Sequence, residues 1–172
     1  MYIPHPLTPD QANLYVALRR EMLLDSPWSF GASPEHDKGS DIDHMHKSLA
    51  RPDFAVLAVI QNGRAIAAAG VRRDDATKRS HVALIWGVYV TPASRGQGLG
   101  RAVVSAAIEV ARGWSGIDCV QLSVSKNAPA AQQLYESLGF EVWGIEPDAW
   151  RVNGVSYAEV HMRKTFDPSI AT

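Results

Sequence analysis

The sequence predicts a single α/β domain in which helices flank a mixed β-sheet. Three observations support this fold class. The chain has 172 residues, of which 46% are hydrophobic and 20% charged, as in ordinary soluble proteins with one sizeable core. Apolar runs of strand length alternate with stretches whose apolar residues recur at helical spacing. No repeat or internal linker divides the chain, so we expect one domain over residues 1–166 and a frayed tail over 167–172.

Two helices are predicted in the first fifty residues. The first begins at a capping box, Thr8–Gln11, and runs to Ser26, where Pro27 stops it. Ser33-Pro34-Glu35 has the pattern of a second N-terminal cap, and the more polar helix that follows is expected to end near Pro52.

The strands form the next predicted group. Residues 54–60 are almost continuously apolar, as in a strand covered on both faces. Asn62-Gly63 predicts a type I′ turn that leads to a partner strand over residues 66–71. Further strands are expected over residues 81–90 and 120–124, the second with one buried face.

The last third of the chain predicts a helix and a hairpin. Asn127 can cap the helix, and Gly139 is suited to its C′ position. Residues 140–145 and 155–162 then form a hairpin around residues 151–154.

A glycine-rich loop follows the strand that ends at Val90. Gly96, Gly98 and Gly100 lie at alternate positions, and the apolar residues after them recur at helical spacing. Glycines let a backbone approach a ligand closely, and the free N–H groups and dipole of a helix N-terminus favour an anion. Arg95 brackets the loop on one side, as Arg101 does on the other, so we predict a phosphate or pyrophosphate site here.

Two other phosphate-binding patterns do not match this loop. A P-loop requires Lys-Ser/Thr after its last glycine, where Arg101-Ala102 stands. The dinucleotide fingerprint requires its third glycine where the chain has Arg101. An NTPase is therefore disfavoured, and a nucleotide-binding domain remains only a distant alternative.

Three blocks of sequence resemble the GCN5-related N-acetyltransferase (GNAT) superfamily. Residues 95–100, Arg-Gly-Gln-Gly-Leu-Gly, are similar to its acyl-CoA-binding motif, Arg/Gln-x-x-Gly-x-Gly/Ala. The preceding segment 86–92 and the downstream Asn127 with residues 134–140 also resemble the family, at its usual separations. The resemblance covers roughly Thr8 to Met162 and implies a GNAT-like fold in which two central strands splay apart to hold the acyl-CoA.

The resemblance also implies a cofactor site for acetyl-CoA, with no metal. Asn127 matches a residue that contacts the pantetheine arm, although an N-cap role explains it equally well. One backbone amide of the strand before the loop would act as an oxyanion donor. The backbone of that strand, Val88, Tyr89 and Val90, would also pair with the pantetheine arm. The residues expected at the pyrophosphate are Arg95, Gly96, Gln97, Gly98, Gly100 and Arg101.

Tyr135 matches the family's tyrosine that protonates the leaving thiolate. A phenol can do this because the coenzyme thiolate is nearly as basic. Its neighbours Leu134 and Leu138 also suit a tyrosine that packs in the core, and the two roles are compatible.

The general base stays open at this point. Many family members carry a glutamate in the strand before the loop, and Leu84 stands there instead. An ordered water, or an amine that arrives partly neutral, would also serve. The side chains left as candidates are His81, Glu159, Glu21 and Glu35.

The predicted function is transfer of an acetyl group to a primary amine of a small molecule or peptide by direct attack. The acceptor is expected among the first two helices, the Trp28–Phe30 loop, and the last hairpin with Trp143 and Trp150. The missing strand carboxylate motivates an alternative, a non-catalytic acyl-CoA-binding or sensing module. Tyr135 argues against that alternative, because a pure binder needs no proton donor.

Composition limits the classes of partner that we expect and the compartment in which the protein acts. A net charge of −1 disfavours nucleic acid, and no apolar stretch is long enough to span a bilayer. The first residues lack the regions of a signal peptide. Cys119 is the single cysteine, so no internal disulfide forms, and its apolar context predicts a buried, inert thiol. We expect a cytoplasmic protein, and a homodimer remains open.

Overall fold

The protein is described here by a computed structural model that covers residues 2–166. Its seven strands form one mixed sheet in the order β1-β2-β3-β4-β5-β7-β6. The strands are β1 His5–Pro6, β2 Phe54–Gln61, β3 Arg64–Arg73, β4 Val82–Val90, β5 Cys119–Ser125, β6 Glu141–Val152 and β7 Val155–Thr165. The α-helices are α1 Ala12–Asp25, α2 Ile42–Leu49, α3 Leu99–Arg112 and α4 Pro129–Ser137. The predicted fold class, a mixed sheet flanked by helices, is confirmed.

Both faces of the sheet are covered by helices. In β2, Leu57 and Val59 pack with α3 and Tyr135 of α4, whereas Val56 and Ala58 pack with α1 and α2 on the opposite face. This alternation explains why β2 is a nearly continuous apolar run, as the sequence predicted. Cys119 is fully buried, and burial raises the pKa of its thiol, which fits an inert side chain.

The centre of the sheet splays apart. β4 and β5 run parallel but pair only from Val82 to Leu84 and from Cys119 to Gln121. Along the other edge of β4, the register shifts so that Gly87 and Val88 lie opposite one residue of β3. Gly87 has a φ of +60°, so it absorbs this bulge in a conformation that favours glycine. The predicted divergence of two central strands is therefore confirmed.

The predicted start of the second helix is wrong. α2 begins at Ile42, and the Asp41 side chain caps it by accepting a 2.8 Å hydrogen bond from the backbone N–H of His44. The predicted cap at Ser33-Pro34-Glu35 lies in a turn and is followed by a 3₁₀ turn over Lys38–Ser40. Asp37 accepts hydrogen bonds from Arg19 of α1, which holds this segment outside α2.

The other predicted turns and element ends agree more closely with the structure. Asn62 and Gly63 have φ values of 51° and 74°, as a type I′ turn requires, and Gly139 has a φ of 85° at the end of α4. Asn127 lies one residue before the N-cap of α4, which is Ala128, so the predicted cap role is wrong. The last hairpin is longer than predicted and turns at Asn153-Gly154. The tail predicted over residues 167–172 lies outside the described residues.

Candidate functional site

A cleft of about 760 Å³ opens where β4 and β5 diverge. One end is formed by residues 88–100 and by the segment from Asn127 to Tyr135, and we call it the loop end. We call the other end the hairpin end. Its lining residues are Arg19, Ser29, Phe30, Gly31, Trp86, Trp150 and Glu159.

The three loop glycines serve two different purposes. Gly96 and Gly98 each have a φ of +77°, and no atom would lie within 4 Å of a Cβ at either position. Gly98 is the N-cap residue of α3, so the left-handed backbone presents the first N–H groups of the helix at the cleft. At Gly100, a Cβ would lie 3.3 Å from Leu134 Cδ2, and its absence allows α3 and α4 to pack closely.

Two strand edges line the cleft along its length. Beyond Leu84, residues 85–90 of β4 have no partner on the β5 side, and residues 122–125 of β5 line the opposite wall. An edge of this kind presents backbone N–H and C=O groups to an extended amide-containing chain. Val88, Tyr89 and Val90, which the resemblance assigns to the pantetheine arm, lie on this unpaired edge.

The charged and polar side chains of the loop are already engaged within the protein. Arg95 lines the cleft, but it donates hydrogen bonds to Asp25 Oδ2 at 2.6 Å and to the Val90 carbonyl at 3.1 Å. The hydrogen bond from Arg95, with a smaller contribution from the Ser26 hydroxyl, lowers the pKa of Asp25. Arg101 donates to Ser137 Oγ at 2.7 Å, and Gln97 accepts from the Tyr2 hydroxyl at 3.2 Å. Neither Arg101 nor Gln97 lines the cleft, so the loop faces it mainly with backbone.

Tyr135 lies in the wall beside the loop end. Its side chain is only 5% exposed and packs against Phe140 with the ring centroids 6.0 Å apart. Its hydroxyl has no hydrogen-bond partner within residues 2–166, and burial raises the pKa of the phenol. The side chain is therefore a core residue that also borders the cleft, and its phenol is protonated at neutral pH. Asn127 lines the same region.

At the hairpin end, a buried ion pair borders the cleft through Arg19. The Arg19 Nε and Nη2 atoms donate to the two Asp37 carboxylate oxygens at 2.9 and 3.0 Å, and the side chains are 9% and 6% exposed. Burial raises the pKa of Asp37, but the hydrogen bonds from Arg19 and Ser40 outweigh it and leave the pKa below its usual value. The positive charge of Arg19 is therefore balanced by the carboxylate of Asp37.

An aromatic wall closes the hairpin end. A Cβ on Gly31 would lie 2.3 Å from Trp150 Cη2, so the backbone at this position rests directly against the indole. Phe30 also lines the cleft, as the predicted aromatic loop requires. Trp28 and Trp143 do not line it, and Trp143 is 60% exposed. The predicted aromatic contribution of the last hairpin therefore comes from Trp150.

One of the four candidate bases lines the cleft. Glu159 of β7 is 7% exposed, and its carboxylate makes no hydrogen bond or ion pair within residues 2–166. Glu21 lies 3.4 Å from the Tyr89 hydroxyl and outside the lining. His81 and Glu35 are exposed and also lie outside it.

Glu159 also belongs to a small cluster of ionisable groups. Ligand-type atoms of Glu146, Glu159 and His161 lie within 4.8 Å of one another, and His161 Nε2 lies 3.4 Å from Glu146 Oε2. Glu146 lies directly opposite Glu159 across the β6–β7 ladder. Since His161 pairs with Glu146, Glu159 is the member of the cluster that is left to face the cleft.

The fold is that of known acetyltransferases. A GNAT-family acetyltransferase from Streptococcus pneumoniae matches with a TM-score of 0.83 at 19% identity, over 96% of this chain and all of that chain. YncA from Salmonella typhimurium, solved with its cofactor acetyl-CoA, matches with a TM-score of 0.84 at 20% identity, over 100% of this chain and 98% of that one.

The sequence identifies the family. The model of the acetyltransferase (GNAT) family matches residues 16–140, and the chain belongs to this family. The family predicted from the three sequence blocks is thereby confirmed, and with it the assignment to the acyltransferases.

Several curated proteins are similar in sequence, and two of them cover most of this chain. The N-alpha-acetyltransferase RimI of Mycobacterium tuberculosis is 31% identical over 125 residues, which are 73% of this chain and 75% of RimI. The mycothiol acetyltransferase of Salinispora tropica is 28% identical over 151 residues, 82% of this chain and 48% of that protein. The chain thus spans about half the length of that mycothiol acetyltransferase. None of the helices within residues 2–166 is long and apolar enough to cross a membrane.

Proposed function

We propose that the protein transfers an acetyl group from acetyl-CoA to a primary amine of a small molecule or peptide by direct attack. The observation that carries this proposal is the placement of Tyr135 and Glu159 in one cleft with an unpaired edge of β4. A proton donor, a proton acceptor and backbone hydrogen-bond donors are the groups that acyl transfer to an amine requires. The names of RimI and mycothiol acetyltransferase support the same reaction class.

The loop end would hold the coenzyme. Backbone N–H groups at Gly96, Gly98 and Gly100 would bind the pyrophosphate together with the α3 N-terminus, and Arg95 would exchange Asp25 for a phosphate oxygen. Val88, Tyr89 and Val90 would hydrogen-bond the pantetheine arm, with Asn127 on the opposite wall. Gln97 and Arg101 would support the loop and helix from outside the cleft. The YncA structure with acetyl-CoA supports this choice of co-substrate.

The chain's own groups would then move two protons. Acetyl-CoA supplies the acetyl group as a thioester. Glu159 accepts a proton from the amine, directly or through one water, as the new C–N bond forms and the C–S bond breaks. Tyr135 donates its proton to the departing sulfur, and an N–H on the β4 edge stabilises the charge that develops on the carbonyl oxygen. No step requires a metal ion.

The alternative is an acyl-CoA-binding or sensing module without catalysis. Such a module has no use for Tyr135 or for a buried carboxylate in the same cleft. A thiol-release assay with acetyl-CoA and a panel of drug-like amines, polyamines and peptides distinguishes the two functions. Turnover with any amine excludes the sensing module, whereas CoA binding without turnover on the whole panel contradicts our proposal. We also propose that the protein acts in the cytoplasm, on the basis of its single buried thiol.

The variant Tyr135→Phe tests the proposed acid. The change keeps the ring against Phe140 and removes only the hydroxyl, so folding and CoA affinity should persist. We expect kcat to fall by roughly two to four orders of magnitude, as for a lost general acid, with little change in KM for acetyl-CoA. Tyr157→Phe, which removes a hydroxyl outside the cleft lining, is the matched control. An unchanged kcat in single-turnover experiments would assign Tyr135 to packing alone.

A further inference from the structure

We propose that the hairpin end selects primary amines whose neighbouring carbon bears no carboxylate. Simple alkylamines and arylalkylamines belong to this class, and so do amino-acid amides, whereas free amino acids are excluded. The inference rests on the proposed function, because it specifies the acceptor of that same reaction. Three independent features of the hairpin end support it.

The first feature is a carboxylate that forms no ion pair within residues 2–166. Glu159 is the single acidic residue among the cleft-lining residues that the structure describes, and it has no ion-pair partner there. At a buried position an ionised carboxylate attracts an ammonium group and repels a second carboxylate strongly, because little water screens the charges. A free amino acid would bring both groups to Glu159, and its own carboxylate would oppose binding.

The second feature is that no lining residue the structure describes offers a free cation at the hairpin end. Arg19 is the cationic residue that lines the hairpin end, but its fork is already occupied by the two oxygens of Asp37. Its third nitrogen, Nη1, donates to Met22 Sδ at 3.4 Å. A substrate carboxylate would bind best through two parallel hydrogen bonds from a guanidinium group, and Asp37 already accepts both of these bonds from Arg19. Arg95 is the other lining cation, and it lies at the loop end.

The third feature is the aromatic wall. Phe30, Trp86 and Trp150 line the hairpin end, and the Gly31 backbone lies against the Trp150 indole. Aromatic faces attract ammonium groups and accommodate the hydrocarbon part of an amine, but they offer nothing to a carboxylate. The three features therefore favour one class of acceptor: an apolar or aromatic amine with a single positive charge.

The test uses acceptors that differ only beside the amine. Phenylalanine, phenylalaninamide and phenethylamine form one set, and leucine, leucinamide and isopentylamine form a second set with a smaller side chain. We expect kcat/KM for the amide and the simple amine to exceed that of the amino acid by at least about 100-fold, because like charges in a desolvated site are strongly unfavourable. The amide is a weaker base than the amino acid and the simple amine a stronger one, so amine basicity cannot produce this order.

The variant Asp37→Asn tests the cause of the selection. It removes the charge that occupies the Arg19 fork, so the preference for amide over amino acid should fall by roughly tenfold or more, since a bidentate Arg–carboxylate contact becomes available. Asp25→Asn is the matched control, because it frees Arg95 at the loop end and should leave the preference unchanged. Glu159→Gln should reduce the preference through the carboxylate itself, and this measurement serves if Asp37→Asn does not fold.

The possible results test the acceptor preference and the acetyltransferase activity separately. Equal kcat/KM values for an amino acid and its amide would overturn the inference and leave the acetyltransferase function intact. An unchanged preference in both Asp37→Asn and Glu159→Gln would also overturn it. If acetyl-CoA binds but none of the six amines or the wider panel is acetylated, the proposed function itself fails, and the inference fails with it.

Discussion

The loop end of the cleft is built from two stretches of chain, residues 88–100 and 127–135, whereas the hairpin end is assembled from α1, residues 29–31, β4, β6 and β7. At the loop end, backbone forms most of the lining: two glycines lie in the left-handed region, and one strand edge is unpaired. At the hairpin end, side chains form the lining, and contacts with distant segments hold them in place. The proposed coenzyme site therefore depends on local geometry and the proposed acceptor site on tertiary packing.

The largest expected effect comes from breaking the backbone at the loop end. Gly98→Asp should abolish CoA binding, because it strains a residue with a φ of +77° and places a carboxylate against the phosphates. Gly116→Asp is a close control: Gly116 has a φ of +75° and equally open surroundings, but lies away from the cleft. Calorimetry with CoA should show binding only in the control. Undiminished affinity in Gly98→Asp would contradict the pyrophosphate loop.

A second variant removes the proposed general base at the hairpin end. Glu159→Gln should leave CoA affinity unchanged and lower kcat/KM for the amine by roughly two to four orders of magnitude, as for a lost general base. In Glu159→Gln, the logarithm of kcat/KM should rise with unit slope toward each acceptor's own pKa, because only water is then left to accept the amine's proton. Glu141→Gln, an exposed charge deletion on β6, is the control. A wild-type profile that rises with unit slope toward each amine's own pKa would instead indicate deprotonation through water.

The buried Arg19–Asp37 pair at the hairpin end should make the folded protein less stable in acid. The pKa of Asp37 is lowered in the folded protein, so the stability that it contributes is fully present above its unfolded pKa of about 3.9. That contribution is lost as the pH falls through the folded value. Asp37→Asn should therefore cost about 3–5 kcal/mol at pH 7, as expected when a buried pair loses one partner, and should flatten the decline in stability below about pH 4. Asp148→Asn, which breaks an exposed pair with Arg151, should change denaturant midpoints much less.

The smallest effects are expected for the arginines of the loop end. Arg95→Ala should weaken CoA binding by less than about tenfold, since the side chain is half exposed and must leave Asp25 to reach a phosphate. Arg101→Ala should weaken it less still, because that guanidinium contacts Ser137 outside the cleft. Calorimetry at two salt concentrations should show the Arg95 contribution shrinking at high salt. A loss larger in Arg101→Ala would contradict the backbone-dominated loop end.

Local sequence was sufficient to predict the geometry of the glycine-rich loop and most strands of the sheet. The strand, the loop glycines and the helix follow one another along the chain, and turn geometry and helix N-termini depend on neighbouring residues. The Asn62-Gly63 turn was predictable for the same reason, because its two φ values are local properties. The alternating faces of β2 also follow directly from residue order.

The hairpin end and the start of α2 depend on contacts between segments that are distant in the sequence. The helix start was predicted too early because Asp37 is engaged by Arg19, 18 residues away, and no local pattern records that contact. Four candidate bases were equivalent in the sequence, and the register of β7 beside β5 and β6 brings Glu159 into the cleft. Trp150 became a cleft wall, and Trp143 did not, because Gly31 accepts the Trp150 indole against its backbone. A side chain's surroundings depend on which distant segments pack against it, and that is settled only when the whole sheet assembles.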